Sequence, residues 1–327
     1  MTNQRRRAAF LSLMALAVLS VSILLGLVLA KALFASAPQV VYVTSEDVGM
    51  LSVVDASSRR LIRTIEIGHR PHNLVVNEDG LLLIATQGID AVSVVDPRQE
   101  PVTVKRVGIG APPHDLAVGG DGRTVFVGSR RGLLARFDPI SGRIHQKVAL
   151  GGSPHNVAVF GAAAWITDIS SRRLLVVDEG SGALEVTISI VGHDIALRPG
   201  SSELWVTPWN GNHIVIVNAE TRKEVAKVPV GRNPSHKHIT FSAEGNEAWV
   251  TEPSSGRLFL VDARSRRTVN EVDLRGRPHH VRFAAGRVYV AVGPDELVVL
   301  DATSRIPVGR IALGSGVHGV GLSHSAN

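Results

Sequence analysis

A closed ring of seven four-stranded antiparallel blades, an all-β propeller, is the fold class this sequence predicts. Three observations predict it. A phrase of Gly, Pro, His and apolar residues returns seven times. It stands at residues 68–80 (GHRPHNLVVNEDG) and 110–122 (GAPPHDLAVGGDG), with shorter copies beginning at Gly151, Gly192, Gly231, Arg275 and Gly314. The histidines His72, His114, His155, His193, His236, His279 and His318 are spaced by 42, 41, 38, 43, 43 and 39 residues. A repeat near forty residues is the length of a four-stranded propeller blade. Third, each period carries four short apolar runs broken by turn residues, and no amphipathic helix is discernible after residue 40.

The elements of one period follow in order. The phrase opens the first strand, and Asp79-Gly80 or Asp121-Gly122 turns it into the second. The second strand opens on a large residue: Tyr42, Leu83, Phe126, Trp165, Trp205, Trp249 and Tyr289. The third ends on Asp55, Asp96, Asp138, Asp178, Asn218, Asp262 or Asp301. These side chains accept backbone N–H groups and start turns, and in six periods a Ser or Thr follows three residues later. A fourth strand comes next, as at residues 63–67 and 224–230. Residues 40–44 read as a second strand and residues 318–323 as a first strand. The two ends must therefore share one blade, which removes an open sheet edge.

The chain has 327 residues and no Cys, so disulfides and thiolate metal sites are excluded. Residues 1–39 stand apart from residues 40–327, the propeller. Arg5, Arg6 and Arg7 precede an uncharged run, residues 8–30, that ends at Lys31. That run is long enough for one transmembrane helix, and the arginines place its N-terminus in the cytoplasm. The expectation is a single-pass inner-membrane protein with its propeller on the extracytoplasmic, periplasmic side. The alternative is a cleaved signal peptide ending at Ala37 and a soluble periplasmic propeller. The run exceeds a usual signal core, and Pro38 would follow the cut. Removing these four basic residues from 35 leaves 31 against 29 acidic ones, a net charge of only +2. Nucleic acid is not an expected partner, since that needs a clustered basic face and stacking aromatics.

Tyr42-Val43-Thr44, the LSVVD at residues 51–55 and the PHNLVVNEDG at residues 71–80 resemble the YVTN-type β-propeller repeat. The resemblance covers residues 40–323 and implies a propeller fold. It does not imply one function, because that family includes propeller domains of enzymes, binding proteins and exported proteins. A more distant likeness is to the histidine-ringed propeller of nitrous-oxide reductase, which holds a copper cluster. Blade number and a histidine near each first strand carry it, but the cysteine-bearing copper domain of that enzyme is missing here.

No G-x-S-x-G, H-E-x-x-H or P-loop signature occurs. The G-x-G-x-x-G at residues 314–319 opens no helix and is simply the seventh copy of the repeat. Nothing here argues for a catalytic residue. The histidine column is the candidate, because seven loops entering innermost strands meet at one mouth of the central channel. His238 and His280 stand one column deeper, with Asn73, Asp115, Asn156, Asp194 and Gly319. The columns after that read as apolar or small, with Arg282 among them. In the fifth period the strand phase puts Lys237, not His236, in the histidine column.

Two readings of the column are open. In one, the imidazoles hold their own turns, as a device repeated with its unit would. In the other, His72, His114, His155, His193, His236, His238, His279, His280, His318 and Trp209 bind a protein or small-molecule ligand. A transition-metal ion would use the subset His236, His238, His279, His280 and His318, with Asp115 or Asp194 orienting imidazoles. The loops between second and third strands share that face and bring Glu46-Asp47, Arg130-Arg131, Asp168, Arg172-Arg173, Glu252-Pro253 and Trp209. The opposite face collects Arg59, Arg60, Arg143, Arg222, Lys223, Arg264, Arg266, Arg267 and Arg305, a solvated rim or, on the sharper reading, a surface for an anionic partner or membrane headgroup.

Overall fold

The computed structural model describes residues 40–323, so the expected membrane segment lies outside the described residues. Among the described residues no helix is long and apolar enough to cross a membrane. Twenty-eight strands form seven four-stranded antiparallel sheets. We number the blades by their inner strands: Pro71–Val76, Pro113–Val118, Pro154–Phe160, Gly192–Leu197, Ile239–Phe241, Arg277–Ala284 and Val317–Leu322. Blade 7 is composite. Its inner strand, Val317–Leu322, pairs with Val40–Ser45 in the order that the two chain ends require. Val41 lies opposite Leu322 and Val43 opposite Val320.

Burial explains the composition of each strand. Second strands such as Leu82–Thr86 and Val125–Ser129 are buried at every position, since both faces pack on neighbouring blades. They therefore read as continuous apolar runs. The outer strand Arg60–Glu66 buries only Ile65; Arg60, Arg63, Thr64 and Glu66 make most of its remainder polar, with Leu61 and Ile62 exposed. Seven apolar clusters fill the interfaces, each shared by two blades. Trp205 and Ile216 of blade 4 pack with Ala248 and Phe259 of blade 5, for example.

The turns between third and fourth strands follow one rule. Asp55, Asp138, Asp178, Asn218, Asp262 and Asp301 each accept the N–H three residues on, at 2.6–2.8 Å. The next residue is left-handed: Gly142 and Gly182 in two blades, Arg59, Arg222, Arg266 and Arg305 in four. These turns leave the histidine-bearing face to the loops at the other end of the strands.

Candidate functional site

The Pro-His-Asx phrase is a β-bulge. In six blades the inner strand carries one residue more than its partner over this stretch, as between Pro71 and Leu74 or between Pro278 and Val281. The extra residue breaks the alternation of faces, so a histidine and the following polar residue can both serve the channel. Blade 5 has no strand there. Its inner strand begins only at Ile239, and the preceding loop is tied by an isolated bridge from Gly211 to Ser235.

Threonines in the second strands lock the bulges from blade to blade. The hydroxyls of Thr44, Thr167 and Thr251 donate to the carbonyls of His72, His193 and His279, at 2.5, 2.8 and 2.8 Å. Thr207 donates to the Lys237 carbonyl at 2.6 Å. The same four hydroxyls accept N–H groups of their own blades, from Gly319, Asn156, His238 and Asp194. The backbone at His193 and at Lys237 is thereby held from two sides, and the carbonyls of His72 and His279 from one.

Seven imidazoles close a ring. Successive ring centroids lie 4.2 Å apart for His72–His114, 3.8 Å for His114–His155 and 4.5 Å for His155–His193. The circuit continues at 4.7 Å to His238, 4.0 Å to His280, 5.0 Å to His318 and 4.0 Å back to His72. The sequence reading counted His236 and His279 among the seven repeated histidines, while giving the fifth column place to Lys237. The structure corrects that count: His238 and His280 close the ring from the deeper column, and His236 and His279 lie beside it. His236 is 5.0 Å from His193, and His279 is 4.8 Å from His318. The cause in blade 5 is that Lys237 takes the backbone place of a histidine. In blade 6 it is the bulge, which turns two consecutive imidazoles to the channel.

Burial sets the charge of this ring. His72 and His155 are pulled down to about 3 and His279 to about 4, first by loss of water. His114, His193, His238 and His318 are held well below their ordinary value by burial and then by neighbouring imidazoles, and His280 by burial and then by the Arg282 charge. The ring is neutral at pH 7, the form in which imidazole ligates metals. Several tautomers are set by a partner on Nδ1. His72 meets the His114 carbonyl at 3.1 Å, and His193 meets the Lys237 carbonyl at 3.0 Å. His155 meets Asn156 Oδ1 at 2.6 Å. Each of these leaves Nε2 with a bare lone pair.

The residues expected to orient imidazoles do something else. Asp115 accepts from Asn73 and from the Val157 N–H, the latter at 3.1 Å. Asp194 accepts from Asn156 at 2.9 Å and from the Ile239 N–H at 3.0 Å. Both carboxyls thus staple one blade to the next, and backbone carbonyls, not aspartates, orient His72 and His193. Asp194 Oδ2 comes no nearer to His238 Nδ1 than 3.5 Å. Burial raises Asp115 and brings Asp194 to about 7, with Asp115 adding its repulsion. Arg282 pulls both down again. The sequence reading had set Arg282 in an apolar or small column. In the structure its charge adds to the hydrogen bonds that lower the two buried aspartates.

Loops complete the mouth. Glu46 Oε1 lies 3.5 Å from His72 Nε2 and 4.0 Å from His318 Nδ1. Burial lifts this carboxyl to about 7. Trp209 is half-buried over the ring, 5.5 Å from His155 and 5.4 Å from His193, and stacks on His236 at 6.0 Å. An open pocket of about 520 Å³ reaches His279 and His318 between Glu46, Asp47 and Arg277. Lys237 turns away from the channel and is fully buried against Glu252, at 3.0 Å. Its ammonium also donates to the carbonyls of Gly211 and Asn233, which holds the loop that presents His236.

Two groups of imidazoles have ligating atoms within 4.8 Å of one another. One is His72, His280 and His318, the other His236, His238 and His279. The five residues singled out from the sequence all fall in these groups, and His72 joins them. His114, His155 and His193 sit in the ring outside both groups. Glu46 was legible only as a loop residue on this face. The threonine locks were not read at all, although Thr44, Thr167, Thr207 and Thr251 recur two residues after the large residue of the second strand.

No protein-family model matches the chain, and no curated protein matches it. Solved structures do share its fold. A functionally unknown protein from Desulfotomaculum acetoxidans aligns at a TM-score of 0.74 with 13% identity, over 87% of this chain and 99% of that one. AztD from Citrobacter koseri aligns at 0.66 with 13% identity, over 87% and 97%. The dihydro-heme d1 dehydrogenase NirN, solved in complex with DHE, aligns at 0.63 with 17% identity, over 86% and 74%. What the chain shares with these proteins is the seven-bladed β-propeller fold.

Proposed function

We propose that the protein is a binding protein whose working surface is the histidine-bearing mouth of the propeller, and that it holds a transition-metal ion there. The observation that supports this best is the group His72, His280 and His318, with the Glu46 carboxyl at its edge. Three imidazoles and a carboxylate are a common donor set for zinc, copper, nickel or iron, and no thiolate competes. Tetrahedral ligation at 2.0–2.1 Å sets nitrogens about 3.3 Å apart. The group would therefore contract when an ion enters. Fixed tautomers and a ring neutral at pH 7 favour such binding, and the pocket beside Glu46 offers an entry path.

The wider reading, a scaffold for a protein or small-molecule ligand, uses the same face. Trp209 favours it, because a half-buried tryptophan stacked on His236 offers a flat aromatic contact. In cells, we place this face on the periplasmic side, tethered to the inner membrane by residues 8–30. Mass spectrometry of the native protein tests the tether: a mature N-terminus at Pro38 would replace it with a soluble periplasmic form. Calorimetric titration of metal-free protein with Zn(II) or Cu(II) tests the ion. Binding at this group should be lost in a His280→Ala, His318→Ala double variant, which should take up less metal than the parent. Equal binding by that variant would refute the assignment to this group.

A further inference from the structure

The metal reading assigns one group of imidazoles. The second group, His236, His238 and His279, has the same tightness and shares no residue with the first. We infer that the mouth is a dinuclear centre: each group holds one late transition-metal ion, and the two ions sit side by side. This inference rests on the metal reading proposed above.

Three observations carry it. The groups adjoin, with His238 and His280 rings 4.0 Å apart and His279 and His318 rings 4.8 Å apart. The donors are also unevenly spent. Of the five buried imidazole nitrogens without a hydrogen-bond partner among the described residues, His238 Nδ1, His279 Nδ1, His280 Nε2 and His318 Nδ1 belong to the two groups, and only His114 Nδ1 lies outside them. On the other side of the ring, Nδ1 of His155 and of His193 is bonded. A buried polar atom left unpaired is costly, so four in one place mark a site that a ligand completes. Third, the asymmetry has the right count. Blades 5 and 6 supply two imidazoles each, where blades 1 and 7 supply one. Six donors then stand on one side of a seven-fold ring, three for each ion. Each group also has a carboxyl near it, Glu46 at His72 and Asp194 at His238.

The test is Cu(II) titration of metal-free, untagged protein, followed by metal analysis and electron paramagnetic resonance. Two equivalents should bind, and the integrated signal should rise with the first and fall well short of two spins at the second, because adjacent ions couple. His236→Ala, a change at the surface loop, should bind one equivalent with a full, isolated signal. His318→Ala should also bind one, from the other group. A wild-type stoichiometry of one, two equivalents with two full spins, or two equivalents in His236→Ala would each overturn the dinuclear centre while leaving the metal reading intact. No bound copper at all would remove both.

Discussion

Lys237 Nζ lies 3.0 Å from Glu252 Oε1, and neither side chain has any exposed surface. This pair occupies the place where other blades set a histidine, and it fixes the irregular loop of blade 5. Burial pulls the lysine down, and Glu252 opposes that shift. Glu252 in turn accepts the N–H groups of Arg232 and Asn233. Lys237→Met would leave this carboxylate buried without its cation. The expected loss is about 3–5 kcal/mol of stability. Lys237→Met with Glu252→Gln should recover part of it. Urea denaturation measures both, and a single variant as stable as the parent would contradict the role given to the pair.

The closing strand of blade 7 should be indispensable. Val317 and Val320 are buried, and Ser323 exchanges hydrogen bonds with Val40 across the seam. Removing residues 314–327 exposes the edge of Val40–Ser45. It also removes two core side chains, worth about 1.5–3 kcal/mol each. A truncated protein that melts within a few degrees of the full one would show that the ring does not depend on this seam.

Metal-free protein should lose stability on acidification. His72 and His155 are held near 3 and His279 near 4 in the fold, against about 6.5 when unfolded. Within that window the unfolded chain binds more protons, so stability is complete above about pH 6.5 and is lost as pH falls toward 3. Asp194 and Glu46, raised to about 7, act in the opposite sense: their penalty grows as pH rises from about 4 to 7. The depressed imidazoles outnumber the raised carboxyls, so the net change is a loss. Thermal melting between pH 7.5 and 4.5 measures it, and a melting temperature that rises on acidification would contradict the neutral ring.

The architecture was legible because it is repeated. Seven copies of one phrase and seven Asx turns set blade number, strand order and the shared terminal blade, and the structure has all three. The ring itself was legible only in part. A period-two pattern assigns faces correctly until a bulge inserts a residue, and the bulge falls on the Pro-His-Asx phrase. Hence His280, not His279, closes the ring in blade 6; blade 5 has no bulge, and there Lys237 takes the column place and His238 follows it. Glu46 and Arg282 were misjudged for another reason. Their roles come from partners far away in sequence, His318 for Glu46 and Asp115 and Asp194 for Arg282, and no local pattern marks those meetings. The threonine locks recur in four blades only, too few to stand out beside the histidines.

The central claim is that the histidine-bearing mouth binds a transition metal, and metal content tests it most directly. The protein, purified without a His-tag, is reconstituted with zinc or copper, desalted and analysed for metal per chain, beside His72→Ala, His280→Ala and His318→Ala variants. The account predicts at least one equivalent in the parent and a clear reduction in each variant. Less than about a tenth of an equivalent in the parent, for every late transition metal tried, would contradict it and leave the imidazole ring as a purely structural plug of the channel.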